Sequence, residues 1–152
     1  MRPKERIPIF LSKVNWKTLA ERWNIDVKLF NKILNMKGTL RPKIIYYWKE
    51  DPDLRFGQML INIGCISNSL RIWNDEENDI LEDQGIPFRE FMLWSRHYDE
   101  NMNPLPEVER ILIKDMTTNH IKAIIRDVGN GEMAIRGDYL QAFKDEIKLR
   151  NE

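Results

Sequence analysis

Lys28, Asn31, Lys32 and Asn35 recur at three- and four-residue intervals, so on a helix they share a face that lies away from Val27, Phe30, Ile33 and Leu34. Such a face has a definite chemistry. Lysine ammonium groups contact phosphate, and an asparagine amide offers the donor and acceptor pair that matches adenine in the major groove. The helix would start at Asp26, whose carboxylate can accept the free amides of the first turn. In front of it, Asn15 can cap a helix carrying Trp16, Leu19, Ala20 and Trp23, and Asn24-Ile25 makes a tight turn. A helix-turn-helix needs a small residue where its helices cross, a turn residue that tolerates the left-handed region, and buried aliphatics around the turn. Ala20, Asn24, Ile25, Phe30 and Ile33 meet those needs in order. Lys37, Arg41 and Lys43 follow closely and, with Arg22, could add phosphate contacts. The plainer reading is that any short helix pair joined by a capped turn has this spacing. No arginine sits on the candidate face to pair with guanine.

Other reactive side chains are sparse. Asp53, Arg55, Gln58 and Asn62 form a polar set that, with His120 as general base, could make a small enzyme centred on Asp53, Arg55 and His120. No nucleophile accompanies that histidine in sequence, and hydrogen bonds that hold loops explain the same polar set. Asp75, Asp79 and Glu82 lie near one helical face, but the glycine and late glutamate of a calcium loop are missing. With one cysteine and two histidines, a zinc site of the usual type lacks ligands. Cys65 follows Gly64 at a helix C-terminus, where the negative end of the dipole raises a thiol pKa. Dinucleotide, P-loop and hydrolase-elbow motifs are absent. The expectation is a protein with no metal and no cofactor, and no catalytic residue.

These side chains must be positioned by helices. Asp51 as N-cap and Pro52 at N1 predict a central helix from that point to Gly64, apolar at Phe56, Met59, Leu60 and Ile63. Gly57 lacks the Cβ that would hold a neighbour away. A first helix is expected over Arg2 to Val14 with Pro8 in its first turn, and another from Pro42 with Ile44, Ile45, Tyr47 and Trp48 inward. Tyr46, Tyr47 and Trp48 point about 100° apart on a helix, so they cannot form one stacking platform. Cys65 to Trp73 reads as a loop, and Asp75 starts an acidic helix that Gly85 stops.

Beyond Pro87 the pattern changes. Phe88 to Trp94 and Val108 to Ile113 read as a two-stranded ribbon, joined by a long loop, Ser95 to Glu107, that holds His97 and Tyr98. Thr117 caps a helix, with Met116 packing on Ile121, that runs to Gly129. Asn130 to Gly137 reads as a loop with a short extended piece. Asp138 then caps a last helix with Leu140, Phe143 and Ile147 inward and Lys144, Lys148 and Arg150 at its C-terminal end.

The central stretch also carries a resemblance. Trp48, Pro52, Asp53, Leu54, Arg55, Phe56, Gly57, Gln58, Met59, Leu60 and Asn62 stand in an order that resembles a signature of small bacterial and phage-encoded proteins of unknown function. The similarity extends through Trp73 to Leu81, Trp94 to Pro106 and Asp115 to Ile121. It implies an intracellular, phage or mobile-element origin, and no activity.

With 152 residues, 42% hydrophobic and 32% charged, the chain is expected to form one domain, and domains of this size bury about 70% of their surface. A single cysteine fits a reducing compartment, and no apolar run reaches the roughly 18 residues of a membrane span. The expected location is the cytoplasm, that of the host cell if the protein is phage-encoded. The net charge of zero hides an asymmetry: residues 1–50 hold 12 basic and 4 acidic side chains, and residues 51–107 hold 4 and 12. Either these surfaces neutralise each other, or the basic third faces a polyanion or an acidic partner. The expected fold is mainly α (α+β): six or seven short helices around a buried central helix, with a β-ribbon in the C-terminal half. The parts are a basic helical stretch at 1–50, the central and acidic helices at 51–86, and the ribbon with two helices at 87–152. The expected function is non-catalytic binding of a host or phage macromolecule, a protein partner first, through the basic third or the Ser95 to Glu107 loop. The alternative is DNA binding by residues 15–35.

Overall fold

The computed structural model describes residues 2–36, 39–99 and 101–152, with backbone alone at 35–36 and 39–40. The chain divides into two compact units, Met1–Ile86 and Pro87–Glu152. The fold is α+β and predominantly helical, with a small antiparallel ribbon in the C-terminal half. No helix among the described residues is long and apolar enough to cross a membrane.

The first unit runs α1 (Arg6–Lys13), α2 (Trp16–Arg22), α3 (Val27–Leu34), a short hairpin β1 (Asn35–Met36) and β2 (Thr39–Leu40), α4 (Pro42–Glu50), α5 (Phe56–Asn62), α6 (Leu70–Asn74) and α7 (Glu77–Asp83). Its core is aromatic. The Phe56 ring lies 5.1 Å from Trp48, 5.3 Å from Phe10, 5.6 Å from Trp16 and 6.1 Å from Trp23, centroid to centroid. The central helix is therefore buried as its apolar spacing requires, but it starts later than Asp51-Pro52 suggests. Residues 51–54 form a turn, because the Leu54 carbonyl accepts the Trp48 indole N–H (2.8 Å) and the Arg6 guanidinium (2.7 Å). That oxygen is turned toward partners outside the helix. Arg55, extended at φ −67° and ψ 156°, takes the N-cap place, and its N–H donates to Gln58 Oε1 at 3.0 Å. Gly64 closes the helix region at φ +78°.

Gly57 does what its missing Cβ allows. A Cβ there would stand 2.5 Å from the Ile72 carbonyl oxygen. That contact belongs to α6, a five-residue helix capped by Ser69 in a stretch whose composition reads as loop. Asp75 ends α6 and does not start α7, which begins at Glu77. The first helix likewise starts at Arg6, because Arg2 is drawn off: its backbone N–H donates to Asp53 and its guanidinium to Glu76. Tyr46 and Tyr47 are exposed, 59% and 40%, whereas Ile44 and Trp48 alone of α4 are buried. Tyr47 is thus a surface residue. Its place in the core is taken by Trp48, one position and about 100° further round.

The second unit has β3 (Leu93–Tyr98) antiparallel to β4 (Pro104–Leu112), 3₁₀ turns at Phe88–Glu90 and Ile113–Asp115, α8 (Thr118–Gly129) and α9 (Gly137–Arg150). The long loop expected at Ser95 to Glu107 is mostly ribbon. Leu93 pairs with Leu112 and Tyr98 with Pro104, and Asp99 closes the turn by accepting the N–H groups of Asn101 and Asn103, both at 2.9 Å. Pro104 and Pro106 are tolerated because each strand of a two-stranded ribbon is an edge. Phe88 to Glu90, expected as strand, is the 3₁₀ turn. Thr117 Oγ1 accepts the His120 N–H as a cap should, and α8 passes through Gly129 to a left-handed Gly131. Residues 131–136 hold no strand, and Arg136 occupies the N-cap of α9, with Asp138 inside its first turn.

Glu146 on α9 is buried, with a side chain only 1% exposed, and it binds Arg89 (Nε–Oε2, 2.8 Å) and Arg150 (Nε–Oε1, 2.8 Å). Arg150 also donates to Thr118 Oγ1 and to the Ile113 and Lys114 carbonyls, so it ties α9 to the neighbouring elements instead of complementing a helix end in solvent. The Arg89 hydrogen bond, then that of Arg150, holds the Glu146 carboxyl below its ordinary range. A depressed acid pKa stabilises the fold above the unfolded value of about 4.5 and loses that contribution as pH falls through the folded value. Glu146→Gln should cost about 1–2 kcal/mol at neutral pH and flatten the acid limb of the stability curve, followed by amide hydrogen exchange in α9. An unchanged acid limb would mean that other carboxylates set it.

Candidate nucleic-acid interface

In the first unit, two short capped helices, α2 and α3, meet at a tight turn over residues 23–26. Asn15 Oδ1 accepts the Thr18 N–H at 3.0 Å and Asp26 Oδ1 accepts the Leu29 N–H at 3.0 Å, so α2 and α3 each carry a side-chain cap. Asn24 adopts φ +56°, and the Ile25 N–H returns to the Ala20 carbonyl at 2.9 Å. Ala20 and Phe30 are fully buried where the helices pack. A short hairpin, β1–β2, follows α3 directly.

Lys28, Asn31 and Lys32 are all exposed on α3. The side chain of Asn35, the first residue of β1, and the residues Lys37 and Gly38 lie outside the described residues. Arg41 and Lys43 are exposed at the start of α4, and the Arg41 guanidinium donates to the Lys32 carbonyl at 2.5 Å. Together with Tyr47, Asn62 and Cys65 these two cations line a cavity of about 410 Å³.

Arg22 does not belong with them. Its guanidinium forks onto Asp75, with Nε–Oδ2 and NH2–Oδ1 both 2.7 Å, and NH1 lies 3.2 Å from Asp83. The Trp23 indole donates to Asp75 Oδ2 at 2.8 Å, which explains why this buried carboxylate faces inward, away from exposed Asp79 and Glu82. Arg2 pairs with Glu76, and Arg6 lies 3.4 Å from Glu77. Glu76 is held below its ordinary range chiefly by the Arg2 hydrogen bond. Burial dominates the other pair, pushing Glu77 up and Arg6 down. Part of the charge asymmetry of the sequence is thus neutralised inside the first unit. Arg2, Arg6 and Arg22 are engaged by the acidic segment, whereas Lys28 and Lys32 pair with no carboxylate among the described residues.

The signature residues serve the same scaffold. Arg55 Nε binds Glu76 at 2.8 Å, the Asp53 carboxylate accepts the Arg2 backbone N–H, and the Phe56 N–H donates to Glu77 Oε1 at 3.1 Å. Trp48 and Leu54 meet through the indole hydrogen bond, and Pro52 stands in the turn before Arg55. Only Asn62 of this set is exposed on α5 itself. Asp53 and Arg55 belong to the first unit and His120 to the second. Burial, helped by Arg96, keeps the His120 pKa below its ordinary value. Burial raises the Cys65 thiol against the pull of Arg41, so desolvation produces the direction that the helix dipole suggests. Among the described residues no group of three His, Cys, Asp or Glu side chains is disposed to hold a metal.

The chain matches no family model, no curated protein and no solved structure.

Proposed function

We propose that the protein is a non-catalytic binding protein whose first unit engages duplex DNA through the exposed face of α3. One observation carries this reading. Arg2, Arg6 and Arg22 of the basic third are turned onto Asp75, Glu76, Glu77 and Asp83, whereas Lys28 and Lys32 stand outward on α3, the second of two capped helices joined by a tight turn, with Asn31 between them. Two lysines supply phosphate contacts, and the asparagine supplies a base-edge reader. The phage-type accessory setting rests only on the resemblance carried by residues 48–62 and the segments after them.

Fluorescence anisotropy of a labelled duplex with the full chain, across a salt series, tests the reading. Binding should weaken linearly on logarithmic axes, and Lys28→Ala with Lys32→Ala should reduce the slope by about 2, one for each phosphate contact. Absence of binding at about 50 mM salt would end it.

A second reading has its own observation. Beside α3, Trp23, Ile25, Leu29, Ile33 and Ile72 line an apolar concavity of about 400 Å³, and Leu29 is 52% exposed. A protein partner would use that surface with little salt dependence, and Leu29→Glu would abolish its capture without changing the DNA salt slope.

A further inference from the structure

The cavity at the start of α4 adjoins α3 through the Arg41 hydrogen bond to the Lys32 carbonyl, but its lining is different in character. Arg41 stands at the N-cap of α4 and Lys43 in its first turn, while Tyr47 comes from one turn further along the same helix. Across from them Asn62 ends α5, and Ile63 and Cys65 continue the wall. The helix N-terminus adds its positive dipole to the two cations, although the Ile44 and Ile45 amides are taken by the Arg41 carbonyl. Lys43 Nζ already lies 5.8 Å from the Tyr47 ring centroid, so the positive charge and the aromatic face adjoin.

The lining selects its ligand by chemistry. The Arg41 guanidinium, anchored at one nitrogen by the Lys32 carbonyl, and the compact Lys43 ammonium together suit a dianionic phosphate better than a single carboxylate. Tyr47, 40% exposed on the rim, offers a ring for stacking against a flat heterocycle. The Asn62 amide presents both donor and acceptor, as recognition of a base edge requires. The volume of about 410 Å³ is in the range of sites for small molecules, which run from roughly 300 to 1,000 Å³.

We infer that Arg41, Lys43, Tyr47 and Asn62 form a binding site for a nucleoside monophosphate, with the phosphate at the two cations and the base between Tyr47 and Asn62. The site requires both halves of its ligand. Phosphate alone lacks the ring contact, and a nucleoside alone leaves the cations without a counter-charge.

Isothermal titration of the full chain with AMP, adenosine and inorganic phosphate tests it. AMP should bind saturably and at least about tenfold more tightly than either fragment, since a charge-assisted hydrogen bond contributes that much. Lys43→Ala and Asn62→Ala, both at exposed positions, should each weaken AMP by about tenfold with the far-ultraviolet spectrum unchanged. Lys28→Ala with Lys32→Ala should leave AMP binding intact, which separates this site from the α3 face. No saturable AMP binding at 10 times the highest useful protein concentration, roughly the millimolar range, would overturn the inference. So would equal affinity for phosphate and AMP, or loss of AMP binding in the α3 variant.

Discussion

Replacing Phe56 with alanine should destabilise the first unit by about 3–5 kcal/mol, as truncation of a fully buried phenylalanine does. Its ring has no exposure and touches four aromatic side chains drawn from α1, α2, α4 and the end of α2 at Trp23. Removing it leaves a void that rigid indoles cannot fill by rotamer changes, so the cavity term adds to the lost transfer energy. Against the 5–15 kcal/mol of a typical domain, that loss leaves the unit near its unfolding threshold. Denaturant titration followed by tryptophan fluorescence reads it directly, because Trp16, Trp23 and Trp48 all border the ring. A change under 1 kcal/mol would mean that the aromatic cluster does not organise the unit.

Gly57→Ala tests the same core from its backbone side. The new Cβ would meet the Ile72 carbonyl oxygen at 2.5 Å and its Cγ2 at 2.7 Å, and a carbonyl anchored in α6 cannot swing aside as a flexible side chain could. Overpacking of this kind costs about 3 kcal/mol, and the better helix propensity of alanine returns less than 1 kcal/mol. The expected net loss is about 2 kcal/mol. Gly129→Ala is the control: it lies in α8, with nothing within 4 Å of the added methyl, and should be neutral or slightly stabilising. Equal effects at the two glycines would contradict the close approach of α5 and α6.

What the sequence discloses follows the reach of each interaction. Caps at Asn15, Asp26 and Thr117 are legible because each closes a hydrogen bond within three residues of itself. Apolar spacing likewise identifies α2, α3, α5 and α8. The start of α5 is not legible, because the Leu54 carbonyl is claimed by Arg6, 48 residues away, as well as by Trp48. Pro104 and Pro106 suggest a loop to any local reading, and only the pairing of β4 with β3 makes them edge-strand residues.

The candidate site divides in the same way. The lysine and asparagine face of α3 is written in residues 26–35, whereas the withdrawal of Arg22 depends on Asp75, 53 residues on. Opposite charge totals in the first two thirds indicate that some neutralisation occurs. They do not say which cations remain outward. The grouping of Arg41, Lys43 and Tyr47 with Asn62 and Cys65 is a tertiary fact, since no local motif joins α4 to the end of α5. The reading of Tyr47 as a core residue fails for a related reason. Helical periodicity assigns a side chain to a flank, and the neighbour that would cover the flank is set by the rest of the fold.

If α3 is the surface presented to DNA, as proposed, the backbone of that helix must report the duplex. Backbone amide chemical shifts of the isotopically labelled full chain, recorded with and without a duplex at low salt, test it most directly. The account predicts shifts concentrated at Lys28, Asn31 and Lys32 and at the hairpin that follows, fading as salt is raised. Shifts confined to residues 87–152, or none at any salt concentration, would contradict it.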